Sequence, residues 1–124
     1  MAINSYKDLD TWKKAKELTI LIYEQTKKFP KEEIFGITNQ MRRASISISN
    51  NIAEGTGRQY KKDTLQFLYI SNGSINEVES MIDVSLSLGF IDSDNSLLIL
   101  NKIEETRKLL KGLIKYYQQS VTLK

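Results

Sequence analysis

The chain has 124 residues, of which 27% are charged, and a formal net charge of +3. This length predicts one domain, residues 1–124, that can bury a hydrophobic core without covalent cross-links. The absence of cysteine and histidine excludes disulfides, thiolate nucleophiles and histidine-based metal or acid–base sites. No segment has the apolar length of a signal-peptide core or a membrane span, so we expect a cytoplasmic protein without a membrane partner.

The first predicted helix covers residues 8–28. Its apolar side chains recur at helical spacing and define one buried face: Leu9, Trp12, Ala15, Ile22 and Tyr23. Ser5 and Asp8 have the spacing of a capping box at its start, and Pro30 follows its end.

The second predicted helix begins near Glu32 and Glu33 and ends at Gly55 and Gly57. Residues 44–49 also alternate between apolar and polar, as a strand would. The helical spacing continues for about five turns, whereas the alternation lasts for six residues, so we predict a helix. The apolar residues of this helix are Ile34, Ile37, Met41, Ala44, Ile48 and Ile52.

Two further helices follow, over residues 61–88 and from about residue 95 to Ser120, with fraying expected from Val121 onward. Gly73 lies inside the third helix and predicts a close helix contact there. The predicted seam of the third helix is Leu65, Leu68, Asn72, Ile75, Glu79, Ile82 and Leu86. That of the fourth is Leu97, Leu100, Ile103, Leu110, Leu113, Ile114 and Tyr117. The fold class expected is all-α, an up-down-up-down antiparallel four-helix bundle.

Polar residues on the inner faces of the second and third helices form a candidate structural network. The short connection between these helices brings Arg42 and Arg43 near residues 74–79. Because a buried carboxylate needs a partner, we predict an Arg–Glu network, within one chain or across subunits. The alternatives are a ligand site or a subunit interface built from the same residues. The candidate residues are Arg42, Arg43, Asn51, Glu54, Asn72, Ser74, Glu77 and Glu79.

The sequence favours no enzymatic activity. Di-metal sites in helical bundles use Glu-x-x-His pairs, which a chain without histidine cannot form. Its acidic residues are accompanied by no Gly-rich phosphate loop and no activated nucleophile. We therefore expect no metal and no other cofactor.

Basic residues form the candidate nucleic-acid contacts. Residues 1–62 hold twelve basic and seven acidic side chains, and this imbalance is consistent with an anionic partner. Charge complementarity between the faces of neighbouring helices is the alternative explanation. Lys108, Lys111 and Lys115 follow at positions i, i+3 and i+7, on one face of the fourth helix. A solvated helix face is the alternative interpretation. The main candidates for phosphate contact are Arg58, Lys61, Lys62, Lys108, Lys111 and Lys115. Tyr60 lies beside the first three, and the fourth helix adds the basic residues Lys102 and Arg107.

The chain resembles the 23S rRNA intervening-sequence proteins, a family of small bacterial four-helix bundles. The most specific matches are residues 51–55, reading NIAEG, and residues 73–77, in which Gly-Ser precedes Glu77. The chain differs from the family's usual residue at four positions. The family usually has proline where this chain has Ser49, serine where it has Asn50 and Tyr60, and alanine where it has Ser71. Other matching positions include Trp12, Pro30, Gly36, Gln40, Arg42, Arg43, Ala44, Ser47, Ile48, Arg58, Asp63, Phe67, Leu68 and Glu79.

The resemblance implies a homopentamer arranged as a barrel. The family includes the accessory protein of diversity-generating retroelements, a basic nucleic-acid-binding pentamer that works with a reverse transcriptase. The hypothesis is therefore a non-enzymatic accessory factor that binds structured RNA or DNA, with a reverse transcriptase or ribonucleoprotein as partner. The alternative is a structural or protein-interaction bundle whose partner is another protein.

Overall fold

A computed structural model describes residues 5–122. It contains four α-helices and two short 3-10 turns, Tyr6–Asp8 and Lys31–Glu33, with no strand in these residues. The prediction of an all-α fold is confirmed, and residues 44–49 lie inside the second helix. The helices are α1 (Asp10–Thr26), α2 (Ile37–Thr56), α3 (Lys61–Ser87) and α4 (Ser93–Thr122).

The four helices enclose one hydrophobic core. Helix α1 packs against α2 and α4, and α3 packs against the same two helices. Burying a large aliphatic side chain contributes about 1.5–3 kcal/mol, so this core is the main source of stability. The largest side chains that are fully buried are Leu18, Ile22, Met41, Ile48, Ile52, Leu68, Ile75, Val78, Ile82, Ile99, Ile103 and Leu110.

The starts of the first two helices differ from the prediction. The Ser5 hydroxyl accepts a hydrogen bond from the Lys7 amide (3.2 Å), which caps a separate 3-10 turn instead of α1. Leu9 then has an extended backbone, so α1 begins at Asp10. Glu32 and Glu33 likewise belong to their own turn, and α2 begins after Gly36.

The predicted seam of α3 is buried in part: Leu65, Leu68, Ile75 and Ile82 lie in the core, and the other three positions do not. Asn72 and Glu79 are half-buried and Leu86 is exposed. The positions that α3 buries instead carry small side chains: Ser71, Ser74, Val78 and Ser85. The Ser71 hydroxyl donates to the Ile48 carbonyl at 2.8 Å. The Ser71 and Ser74 hydroxyls thus let α2 and α3 approach closely while remaining hydrogen-bonded, whereas the buried Ser85 hydroxyl has no hydrogen-bond partner among the described residues.

In α4 the prediction was wrong at its N-terminal end. Leu97 is exposed, whereas Ile99, which the apolar spacing left off the seam, is fully buried. Ile99 therefore belongs to the core. Val121 and Thr122 continue α4, and residues 123 and 124 lie outside the described residues.

The close helix contact occurs at Gly55 and not at Gly73. A Cβ atom at Gly73 would have no neighbour within 4 Å, whereas one at Gly55 would lie 2.7 Å from the Cβ of Phe67. The Thr64 hydroxyl also donates to the Gly55 carbonyl at 2.7 Å. The NIAEG segment thus ends at the point where α2 and the start of α3 touch. Within residues 5–122, no helix combines the length and the apolarity needed to cross a bilayer.

Candidate nucleic-acid interface

The connection between α2 and α3 places basic side chains at one end of the molecule. Arg58 is exposed, its guanidinium pairs with Glu54 one turn earlier, and it lies 4.7 Å from the ring centroid of Phe67. An exposed pair of this kind contributes about 1 kcal/mol or less. Arg58 can therefore exchange its carboxylate partner for a phosphate at little cost.

Lys61 is held by two aromatic rings. Its Nζ lies 5.7 Å from the ring centroid of Tyr116 and 5.6 Å from that of Tyr117, and the residue is half-buried. Burial raises the pKa of Tyr117 above its ordinary value of 10.0, and the neighbouring Tyr116 adds to the shift. These contacts fix the Lys61 ammonium where α3 begins and α4 ends. The adjacent Lys62 is exposed.

A surface cavity of about 510 Å³ lies at the same end. The ring of Tyr60 is 62% exposed, and this residue occupies the N-cap position of α3 without a side-chain cap hydrogen bond. Among the described residues, Asp63 supplies the one carboxylate on the cavity wall, so the basic groups outnumber it there. The lining residues are Tyr60, Lys61, Lys62, Asp63 and Val121.

The three lysines on the outer face of α4 have no acidic side chain within ion-pair distance in the part of the chain that the structure describes. Lys108, Lys111 and Lys115 are all exposed, and none of them forms an ion pair among residues 5–122. Lys108 borders a shallow depression that also includes Asp8 and Asp10. The six predicted contact residues thus fall into an end cluster and a stripe along α4.

Two other basic residues form ion pairs between helices α1 and α4. Lys14 pairs with Glu105 at 3.2 Å, and Lys102 pairs with Glu17 at 3.3 Å. The hydrogen bond and charge of Glu105 raise the pKa of Lys14 above its ordinary value. These pairs make Lys14 and Lys102 less available to phosphate than the outer stripe.

The predicted pairing of Arg42 or Arg43 with Glu77 or Glu79 does not occur within the chain. Arg42 faces α1, where its Nε donates to the Thr26 hydroxyl at 2.9 Å and its guanidinium lies 4.7 Å from the Tyr23 ring centroid. Glu79 faces α4 and pairs with Arg107 at 2.9 Å. The prediction considered α2 and α3 alone, whereas α1 and α4 supply the partners.

Three other residues of the predicted network make contacts within α2, between α2 and α3, or with the α2–α3 connection. The side-chain amide nitrogen of Asn51 donates to the Ser47 carbonyl at 2.8 Å and to the Ser47 hydroxyl at 3.0 Å. The Ser74 hydroxyl donates to the same Ser47 hydroxyl at 2.9 Å, which links α3 to α2. Glu54 pairs with Arg58, as described above. The side-chain oxygen of Asn72 is buried and has no hydrogen-bond partner among the described residues.

Arg43 and Glu77 lie on a polar groove between α2 and α3, which has a volume of about 550 Å³. Both residues are exposed, and neither forms an ion pair within residues 5–122. Pairing across subunits therefore stays a prediction for these two residues. In the same range, no group of three acidic side chains is arranged to hold a metal ion.

The sequence did not indicate the aromatic partners of the basic residues or the interhelical contacts of Arg107. Its guanidinium bridges Glu79, Glu104 and the Asn76 side chain. The adjacent residues Tyr116 and Tyr117 are the one sequence signal for this contact, because two neighbouring aromatic residues near a helix end can pack against another element. Their contact with Lys61 depends on the distance between the ends of α3 and α4, which spacing alone does not give.

Removing the Glu79 carboxylate should have a small effect on stability. Glu79→Gln is expected to lower the free energy of unfolding by no more than about 1 kcal/mol, because Arg107 keeps Glu104 as a partner. Urea denaturation measures this value, and Glu77→Gln is the matched control. A loss of about 3 kcal/mol or more would instead indicate a fully buried pair. A larger loss at Glu77 than at Glu79 would indicate a contact across subunits.

The chain was compared with known families and structures. A family model described as 23S rRNA-intervening sequence protein matches residues 7–112. A protein of unknown function from the S23 ribosomal protein family of Bacteroides thetaiotaomicron has a similar structure, with a TM-score of 0.78 and 27% sequence identity. The similarity covers 85% of this chain and 95% of that one. No curated protein gives a significant match.

Proposed function

The chain belongs to the 23S rRNA-intervening sequence protein family, and we propose that it is a non-enzymatic accessory factor that binds structured RNA or DNA. The observation that carries this proposal is a group of exposed lysines at the α2–α3 connection and along one face of α4, none of which forms an ion pair in the described residues: Lys62, Lys108, Lys111 and Lys115. Lysine ammonium groups bind phosphates as point charges and release condensed counterions when they do so. Binding through them depends on backbone charge more than on base sequence.

The proposed subunit is an up-down-up-down bundle. Hydrogen bonds between α1 and α2 join Thr19 to the Ser45 carbonyl and Thr26 to Arg42, so position numbers rise along one helix as they fall along the other. The bonds between α2 and α3 follow the same rule, since Thr64 contacts the Gly55 carbonyl and Ser71 contacts the Ile48 carbonyl. This pattern supports alternating helix directions.

We further propose that the subunits assemble into a homopentamer, the state that the family resemblance implies. Five copies of a +3 chain would carry a charge of +15 and repeat each basic cluster around an axis. Light scattering at micromolar concentration should give about five times the chain mass of 14.3 kDa. A mass equal to that of one chain would contradict this prediction. Such an assembly would work in the cytoplasm within a ribonucleoprotein or beside a reverse transcriptase.

A protein-interaction bundle is the second candidate function. The end of the molecule formed by the α1–α2 and α3–α4 connections exposes large apolar side chains, including Phe35, which is 91% exposed. Contiguous exposed apolar surface commonly marks an interface with another protein. The other exposed apolar residues near this end are Ile34, Leu86, Leu88, Leu97 and Leu98.

A titration at low salt decides between these functions. Fluorescence anisotropy with labelled rRNA fragments and duplex DNA should show binding at about 10 µM protein, and this binding should weaken steeply with added salt. Absence of binding to every one of these probes would overturn the nucleic-acid proposal and favour a protein partner.

A further inference from the structure

Tyr60 is exposed, and neither helix capping nor core packing explains why a tyrosine occupies this position. It occupies the N-cap of α3 with an extended backbone (φ −104°, ψ 133°), but its side chain makes no cap hydrogen bond. Serine, threonine, aspartate and asparagine are favoured there because they accept a bond from the first helical amides. Its ring is 62% exposed and lies outside the hydrophobic core. The chain therefore places a large aromatic ring in solvent at a position where a small polar residue would stabilise the helix.

The surroundings of this ring suit a nucleotide. The ring borders the cavity of about 510 Å³ described above, a volume within the usual range for small-ligand sites. Two lysines share the cavity wall, and Arg58 lies two positions before Tyr60 in the chain. The two tyrosine rings hold the ammonium of Lys61, whereas that of Lys62 is exposed. Asp63 repels phosphate on its side of the cavity and can accept a hydrogen bond from a base amino group.

We infer that this cavity binds one nucleotide of a single-stranded segment, with the base stacked on Tyr60 and the phosphate beside Lys62. The inference rests on the proposed function and narrows its substrate class. A base in a duplex is stacked on its neighbours, so its face is not available to a protein ring, whereas an unpaired base is. The segment is therefore a loop, bulge or free strand of RNA or DNA, and its sequence matters little because every base has a stacking face.

The test compares Tyr60→Ser with the unaltered chain on two probes, a single-stranded oligonucleotide of mixed sequence and its duplex. Loss of the ring should weaken single-strand binding by about tenfold or more and duplex binding by less than about twofold. Tyr60→Phe should retain most of the single-strand affinity because the stacking face remains. Phe35→Ser, which removes an exposed aromatic ring at the opposite end, is the matched control and should change neither affinity.

Tyr60→Ser also separates binding from folding. Serine can cap α3, so the thermal unfolding midpoint of this variant should equal or exceed that of the unaltered chain. Unchanged single-strand affinity, or an equal loss on both probes, would overturn the stacked-base site while leaving nucleic-acid binding in place. A change in oligomer mass would instead assign the ring to a subunit interface and would also overturn the site. If the unaltered chain binds neither probe, nor any rRNA fragment, the proposed function fails together with this inference.

Discussion

Replacing Lys108, Lys111 and Lys115 with glutamine should flatten the salt dependence of nucleic-acid binding. Each phosphate that a protein neutralises adds about 0.7–0.9 to the slope of log K against log salt. Loss of three contacts should therefore reduce the slope by roughly 2–3 for each subunit that touches the ligand. All three side chains are exposed and make no ion pair among the described residues, so the helical content should not change. Anisotropy titrations at several salt concentrations measure the slope, and circular dichroism checks the fold.

The matched control removes the same charge elsewhere. Lys27, Lys28 and Lys31 are exposed and lie near the opposite end of the molecule, at the α1–α2 connection. Their replacement with glutamine lowers the net charge equally, and it should leave the slope nearly unchanged. An equal effect of the two triple variants would show that net charge, and not the α4 stripe, determines binding. An unchanged slope in the α4 variant would contradict phosphate contact by that stripe.

Gly55→Ala should be the most destabilising of the small substitutions at glycine. The added methyl group would lie 2.7 Å from the Cβ of Phe67 and 3.2 Å from the Thr64 carbonyl oxygen. Neither atom is the end of a flexible side chain, so α2 and α3 must move apart to accept it. Strain of this kind costs about 1–3 kcal/mol, and it would also weaken the hydrogen bond from Thr64 to the Gly55 carbonyl. Urea denaturation should show this loss in the free energy of unfolding.

Gly73→Ala and Gly112→Ala are the controls for this experiment. Both glycines lie inside helices, and a Cβ atom at either position has no neighbour within 4 Å. Alanine has a higher helix propensity than glycine, so each variant should gain up to about 1 kcal/mol. Stability equal to or above that of the unaltered chain in Gly55→Ala would show that α2 and α3 pack less tightly there than the structure indicates.

The number and extent of the helices could be predicted because apolar spacing is a local property. Residues 44–49 were ambiguous by themselves, yet the longer run from Ile34 to Ile52 favoured a helix, and residues 44–49 lie in one. Helix starts were less accurate at Ser5 and Glu32, because short 3-10 turns use the same capping residues as α-helices. Exposure of the α4 lysines followed from the same spacing, since residues opposite a buried seam face solvent.

The sequence by itself determined an all-helical fold, four helices with one buried face each, and the family motifs. Only the tertiary structure decided which polar groups meet. Along α3, Ser85 follows the buried Ile82 by three positions and the predicted Leu86 follows it by four, so a helical spacing of three or four fits both. The two positions differ by about 100° around the helix axis, and the packing of the other helices decides which one is buried. The partners of Arg42 and Glu79 depend on which third helix lies beside each side chain, and that arrangement follows from packing the whole core. The cavity at Tyr60 likewise exists only because the end of α4 reaches the start of α3.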